Sequence, residues 1–278
     1  MFRRIAVHLD HGVDMSRRLE FSLRLAKAHD AHLTGIFASY VAPGYFYDEA
    51  GLWVRSMDTA TQINEQGRTA AQAAFSEAAR DLGVSASWRQ GEGSPADCVA
   101  RHARCSDVLV VSQDNPDDLD AAIGNDFVEQ VLMSVGRPVI VLPTLGTFNA
   151  VGARVLYCWD RGRESARAIA DAAPLLRNAH ALAVLTLGEG ADDASALEVP
   201  FEDLAAYCAC HGFPLPEHEF RNTRDIDVGD AILSAAADFS ADLIVMGAYG
   251  HSRMRQWIMG GATRTLLAAM TMPVLFSH

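Results

Sequence analysis

Two apolar runs in the first half of the chain return at a fixed distance in the second. Asp107–Val111 reads DVLVV and Pro138–Leu142 reads PVIVL; Asp242–Met246 reads DLIVM and Pro273–Ser277 reads PVLFS, both at an offset of 135. The stretch between the runs therefore has one length in both halves. The opening runs match as well: RIAVHLD ends at Asp10 and RVLYCWD at Asp160, an offset of 150. Self-similarity at this period fixes the architecture before any local reading, because it calls for one fold used twice. The offset falls from 150 to 135 between these landmarks, so the first half carries extra chain there. That excess belongs in the longer excursion Val41–Leu82, where VAPGYFYDEAGLW interrupts the pattern before a helical run.

Short apolar runs bounded by turn residues alternate with amphipathic stretches, the pattern of βαβ units around a parallel sheet. Each half reads as five strands and four helices. The strands are expected near Arg4–Leu9, His32–Ala38, Ser85–Arg89, Asp107–Ser112 and Pro138–Leu142. In the second half they fall near Arg154–Cys158, Ala181–Leu187, Glu217–Phe220, Asp242–Met246 and Pro273–Phe276. Helices are expected at Met15–His29, Asp58–Leu82, Asp97–Arg104 and Phe127–Val135, then Ser165–Arg177, Phe201–His211, Gly229–Phe239 and Ala262–Met270. Pro174 should kink or shorten the helix it lies in. The Gly-containing segment Thr144–Ala153 reads as a linker, which gives two α/β Rossmann-like domains at residues 1–147 and 152–278.

Composition narrows the function. Of 278 residues, 23 are basic and 35 acidic, a net charge of −12, which opposes binding to nucleic acid or to an anionic membrane face. Lys27 is the one lysine, so neither a P-loop lysine nor a pyridoxal Schiff base is available elsewhere. Five cysteines at uneven spacing suggest reduced thiols and a cytoplasmic protein. The N-terminal apolar run stops at His8 and Asp10, and no run of about 18 apolar residues follows, so neither an export signal nor a membrane span is expected. Cys208, Cys210 and His211 invite a metal, but residues two apart on a helix face different ways and no second ligand pair follows. The acidic run Asp114, Asp117, Asp118 and Asp120 reads as a solvated loop.

In an open parallel sheet the ligand crevice lies beyond the carboxyl ends of the strands. Two such places stand out. One is Asp160, directly after VLYCW. The other is MGAYGHSRMRQWIMGGATRTLL, where Gly247, Gly250 and Gly260 are spaced G-x2-G-x9-G ahead of a helix. Glycines admit positive φ and a close approach of backbone to a bulky anion, and the helix offers unpaired N–H groups to phosphate. Asp160 can equally cap the following helix or close an Asx-turn. His251 reads as a solvated loop histidine, and Arg253, Arg255 and Arg264 draw an anion without specifying one.

These residues resemble the universal stress protein family in its tandem form, over nearly the whole chain. The resemblance implies the adenine nucleotide alpha hydrolase-like fold, five parallel strands per domain with helices on both faces. It places ATP, ADP or AMP on Cys158, Asp160, Leu187, Met246, Gly247, Gly250, Gly260, Gly261, Ala262 and Thr263, with Mg accompanying the phosphates. Gly261 stands where nucleotide-binding members carry Ser or Thr, which removes one hydroxyl from the phosphate side. The resemblance also implies a role in stress responses and pairing through the last strands, here Pro138–Leu142 with Pro273–Phe276, as a pseudo-dimer within one chain that pairs again as a homodimer.

The first half carries the fold without the loop. At offset 135, Gly247, Gly250, Gly260 and Gly261 correspond to Ser112, Asn115, Asn125 and Asp126, while Asp10 keeps its place at offset 150. No nucleophile, base and orienting acid assemble at a readable spacing, so no catalytic residue is assigned and any ATP hydrolysis should be slow. Two other functions stay open: a scaffold that binds no nucleotide, and an enzyme with a substrate in the first-half cleft beside Tyr45, Phe46, Tyr47 and Trp53.

Overall fold

The computed structural model describes residues 1–39, 54–91, 93–115, 118, 126–149, 151–188, 200–249 and 262–278, the side chains of 54–61, 63, 262 and 263 excepted. The chain divides into two compact units, Phe2–Val135 and Gly136–His278.

The first unit runs β1 (Arg4–Leu9), α1 (Met15–His29), β2 (His32–Phe37), α2 (Val54–Leu82), β3 (Ala86–Gln90), α3 (Pro95–Ala103), β4 (Val108–Ser112) and α4 (Phe127–Ser134). Its strands lie in the order β3-β2-β1-β4, all parallel, with Ile5 opposite Leu33 on one side and Val108 on the other. The central strands β1 and β4 are buried from Ile5 to Leu9 and from Val108 to Ser112, which is why they read as unbroken apolar runs and not as alternation. From β1 the chain winds outward through β2 and β3, then returns to place β4 on the other flank. The strand order thus reverses between β1 and β4.

The second unit repeats the plan: β5 (Val139–Leu142), β6 (Arg154–Cys158), α5 (Arg163–Asp171), α6 (Ala173–Leu176), β7 (Ala181–Gly188), α7 (Phe201–His211), β8 (Glu217–Asn222), α8 (Val228–Asp238), β9 (Leu243–Gly247), α9 (Ala262–Ala269) and β10 (Val274–Ser277). Strands β10-β9-β6-β7-β8 are parallel, and the order reverses between β6 and β9. Pro174 sits in the first turn of α6, and the expected single helix is broken there into α5 and α6. β5 is the exception to parallel pairing. It runs antiparallel to β10, with Val141 opposite Val274 and Val139 opposite Phe276. It is grouped with the second unit and not, as its place in the repeat suggests, with the first. The division at 135/136 differs for this reason from the one read at residues 147 and 152.

The length difference between the halves lies where the sequence puts it. The connection from β2 to β3 runs from Phe37 to Ala86, whereas that from β7 to β8 runs only from Gly188 to Glu217. Much of the excess is helix, since α2 has 29 residues and α7 has 11. Tyr45, Phe46, Tyr47 and Trp53 lie outside the described residues.

Each repeat carries one aspartate that ties its strands together. Asp107 accepts the N–H groups of Arg3 (2.6 Å) and Arg4 (2.9 Å) at the entrance to β1. Asp242 does the same for Gly152, Ala153 and Arg154 at the entrance to β6, at 3.0, 3.0 and 3.1 Å. These are the residues that open DVLVV and DLIVM. Their role is to satisfy N–H groups that precede a parallel strand and have no ladder partner.

Inside the first unit, His8 is fully buried against the Phe127 ring, 4.6 Å between centroids, with Nε2 2.8 Å from the Ala38 carbonyl and Nδ1 3.7 Å from Asp10. Burial, followed by the charge of Arg18, lowers its pKa to about 4, with Asp10 and the Ala38 bond acting weakly against this. Unfolded His8 takes a proton near pH 6.5 and folded His8 only near 4. Between those values the unfolded chain binds more protons, so stability falls as pH falls. Urea melts of the full chain across that window should show a loss of up to roughly 3 kcal/mol from this residue. The His8→Gln variant, which keeps a donor for Ala38 but does not titrate, should show a correspondingly flatter dependence.

Candidate functional site

At the carboxyl ends of β6, β7 and β9, where strand order reverses, Cys158, Trp159, Asp160, Ser165, Leu185, Leu187, Ile232, Met246 and Gly247 line a cleft. Its empty space, the open solvent at its mouth included, is about 370 Å³. The wall is mostly apolar, supplied by Leu185 and Leu187 on one face of β7, Ile232 from α8 and Met246 from β9.

Asp160 supplies the main charge. Its Oδ1 accepts the Gly162 N–H at 2.8 Å, which closes an Asx-turn, and the Ser165 hydroxyl at 2.5 Å. Arg161, in the middle of the turn, takes a left-handed φ of 62°. Gly162 then caps α5, whose residues Glu164 and Ser165 come down onto β9. Cys158 precedes Asp160 by two positions. Its thiol is pushed up to about 12, by burial first and then by the Asp160 charge, so at neutral pH it is a protonated wall group and not a nucleophile. Tyr157 is buried behind it and donates its hydroxyl proton to the Ser165 carbonyl at 2.8 Å.

The fold thus brings together five of the residues named from sequence: Cys158, Asp160, Leu187, Met246 and Gly247. Ala262 and Thr263 open α9, as expected of the helix after the glycine run. Gly250, Gly260 and Gly261 lie outside the described residues, as do His251, Arg253 and Arg255. Four lining residues went unforeseen. Leu185 is two positions before Leu187 on the same strand face, so strand periodicity could have found it. Trp159 and Ser165 flank Asp160 in sequence, whereas Ile232 comes from a helix with no local signal.

Gly247, which lines the cleft, also has a packing role. It does not take left-handed φ. A Cβ there would lie 2.6 Å from the Ser165 nitrogen and 2.7 Å from the Glu164 carbonyl carbon. The missing side chain is what lets the first turn of α5 rest on the end of β9.

Two further sequence expectations meet the structure. Cys208 is buried and Cys210 exposed, on different faces of α7. In the acidic run of the first half, Asp114 and Asp118, the two members among the described residues, do more than face solvent. Asp118 accepts the Val13 N–H at 2.8 Å. Asp114 is pushed up to about 7, chiefly by burial, with Asp126 and Glu129 adding repulsion against a Val128 N–H bond.

Residues 153–278 match the family model described as Universal stress protein family. A universal stress protein of Synechocystis sp. is 28% identical over 153 residues, 53% of this chain and 49% of that protein. The chain thus spans about half the length of this curated relative. The crystal structure of a universal stress protein from Archaeoglobus fulgidus DSM 4304 resembles the chain with a TM-score of 0.70 at 15% identity, covering 99% of this chain and 95% of the other. A functionally unknown protein from Pseudomonas aeruginosa PAO1 gives 0.64 at 17% identity, covering 99% and 92%. At such identities these two structures bear on the fold. No described helix is long and apolar enough to cross a membrane.

Replacing Gly247 by alanine should lower stability by about 1–3 kcal/mol, because backbone and not a flexible side-chain end must move aside. Thermal or urea unfolding of the full chain measures it; a neutral result would mean that α5 has slack at its first turn.

Proposed function

We propose that this chain, whose residues 153–278 are a universal stress protein domain, binds ATP or a related adenine nucleotide (ADP or AMP) in the cleft of its second half and works as a cytoplasmic stress-response regulator. The observation that carries this reading is the convergence of Cys158, Asp160, Leu187, Met246 and Gly247 on one cleft, from three strands far apart in sequence. The apolar wall of Leu185, Leu187, Ile232 and Met246 suits a flat base. The Asp160 carboxylate suits the hydroxyls of a ribose. The phosphate side is assigned to the N–H groups of Gly250, Gly260 and Gly261 and of the first turn of α9 at Ala262 and Thr263, with Mg on the phosphates. Bound nucleotide would favour one arrangement of this surface over another and so alter what a partner meets. Five free cysteines are consistent with a reducing compartment.

A second reading, a scaffold that keeps the fold and binds no nucleotide, is favoured by one observation. Asp160 and Gly247 each have a partner within the protein, so neither needs a ligand to account for its identity.

Calorimetric titration of nucleotide-stripped protein with Mg-ATP separates the two. One site per chain is expected, abolished by Gly260→Asp. It should weaken about 10–100-fold in Asp160→Ala, the size of a lost hydrogen bond to a charged group. No binding at millimolar ATP would leave the scaffold.

A further inference from the structure

The cleft of the second half has a counterpart in the first, at the carboxyl ends of β1 and β4, and that counterpart is filled. Asp10 stands at the place of Asp160 and Ser112 at that of Gly247, by the offsets of 150 and 135. Both aspartates close the same turn: Asp10 Oδ1 accepts the Gly12 N–H at 3.0 Å, as Asp160 accepts that of Gly162. Beyond the turn they diverge. Asp160 takes the Ser165 hydroxyl, whereas Asp10 Oδ2 accepts Arg18 Nη2 at 2.8 Å. Arg18 also donates Nε to the His8 carbonyl at 2.6 Å and Nη1 to the Ser112 hydroxyl at 2.7 Å.

Arg18 is 2% exposed, which for an arginine requires that its charge be paired and its donors met. Its counterpart in the second half, at the offset of 150, is Ala168, which has no side chain to reach the strand ends. The long helix α2 closes in beside the same turn. A Cβ on Gly67 would come within 2.9 Å of the His11 side chain, and His11 Nδ1 lies 3.3 Å from the Ser39 hydroxyl.

The geometry points to a built-in occupant: the first-half cleft is a guanidinium-recognition site, saturated by Arg18 of the chain itself, and for that reason it takes no nucleotide. Three donors of one planar fork meet a carboxylate, a carbonyl and a hydroxyl in directions that a phosphate, which only accepts, cannot reproduce. Two of the three partners, the Asp10 carboxylate and the His8 carbonyl, are acceptors without a proton to give. Asp126 and Glu129 add negative charge beside Asp114, past the end of β4. With Arg18 removed, the vacated pocket would select a small planar cation. This inference stands independently of what the second half binds.

The test is the full chain carrying Arg18→Ala, with N-methylguanidinium chloride as the probe and N-methylurea, its uncharged counterpart, as the control. Millimolar methylguanidinium should raise the unfolding midpoint of Arg18→Ala by about 2–5 °C. It should give no rise in the wild type, where the site is filled, nor in Arg18→Ala with Asp10→Asn, where the carboxylate charge is gone. Methylurea should do nothing. A folded Arg18→Ala that shows no rise, or a wild type that rises equally, overturns the proposal and leaves Arg18 as a structural ion pair whose site collapses without it. If Arg18→Ala does not fold alone, recovery on dilution from urea decides the matter: recovery only with methylguanidinium supports the proposal, and none with it overturns it. Mg-ATP titration of the same variant should match the wild type, and failure of both to bind nucleotide would bear on the second half alone.

Discussion

Each half of this chain turns on one carboxylate at the end of its central strand. β1 and β6 are flanked on both sides by parallel neighbours, so the chain leaving them must satisfy its N–H groups at once or expose them in a packed interior. Asp10 and Asp160 do this by accepting the N–H two residues on and turning the chain into a helix. At the opposite ends of the same strands, Asp107 and Asp242 receive the N–H groups that have no ladder partner. The carboxylates therefore hold the chain at both ends of each central strand.

The second bond made by each strand-end carboxylate separates the halves. A hydroxyl five residues on, from Ser165, leaves the crevice open; a guanidinium eight residues on, from Arg18, fills it. A ligand can shift an equilibrium only by its difference in affinity for the states involved. A half that supplies its own occupant has little left to be shifted, so the response to nucleotide proposed above would fall to the second half. The first half gives a fixed frame of the same design, stabilised by an interaction that does not depend on concentration.

The sequence reveals the strands and most helices because parallel strands buried on both faces must be continuous apolar runs, and the repeat locates each run twice. It points to Asp160 because crevice residues follow strand ends, whereas Leu187 and Met246 come only from the resemblance. It does not reveal Ile232, which reaches the cleft from α8 through tertiary packing alone, nor the packing role of Gly247, which depends on where the α5 backbone passes. Arg18 was legible only by aligning the halves at offset 150, where an arginine faces an alanine; read alone, MSRRLEFSLRLAKAH is an amphipathic helix with a basic start. The direction of β5 was not legible, because PVIVL is equally suited to either; its pairing with β10 was expected from the resemblance alone.

The pairing of β5 with β10 has a consequence in time. Val141 is synthesised 133 residues before its partner Val274, and the other strands and helices of the second unit are made between them. At about 5–20 residues per second, the edge of β5 that β10 covers waits on the order of 10 s during synthesis. That edge is VIVL, without a charge or a proline to blunt it, the kind of surface on which strands of separate chains associate. Until β10 is made, that edge is open to any other strand that can pair with it, so the native pairing depends on the order in which the two strands are made.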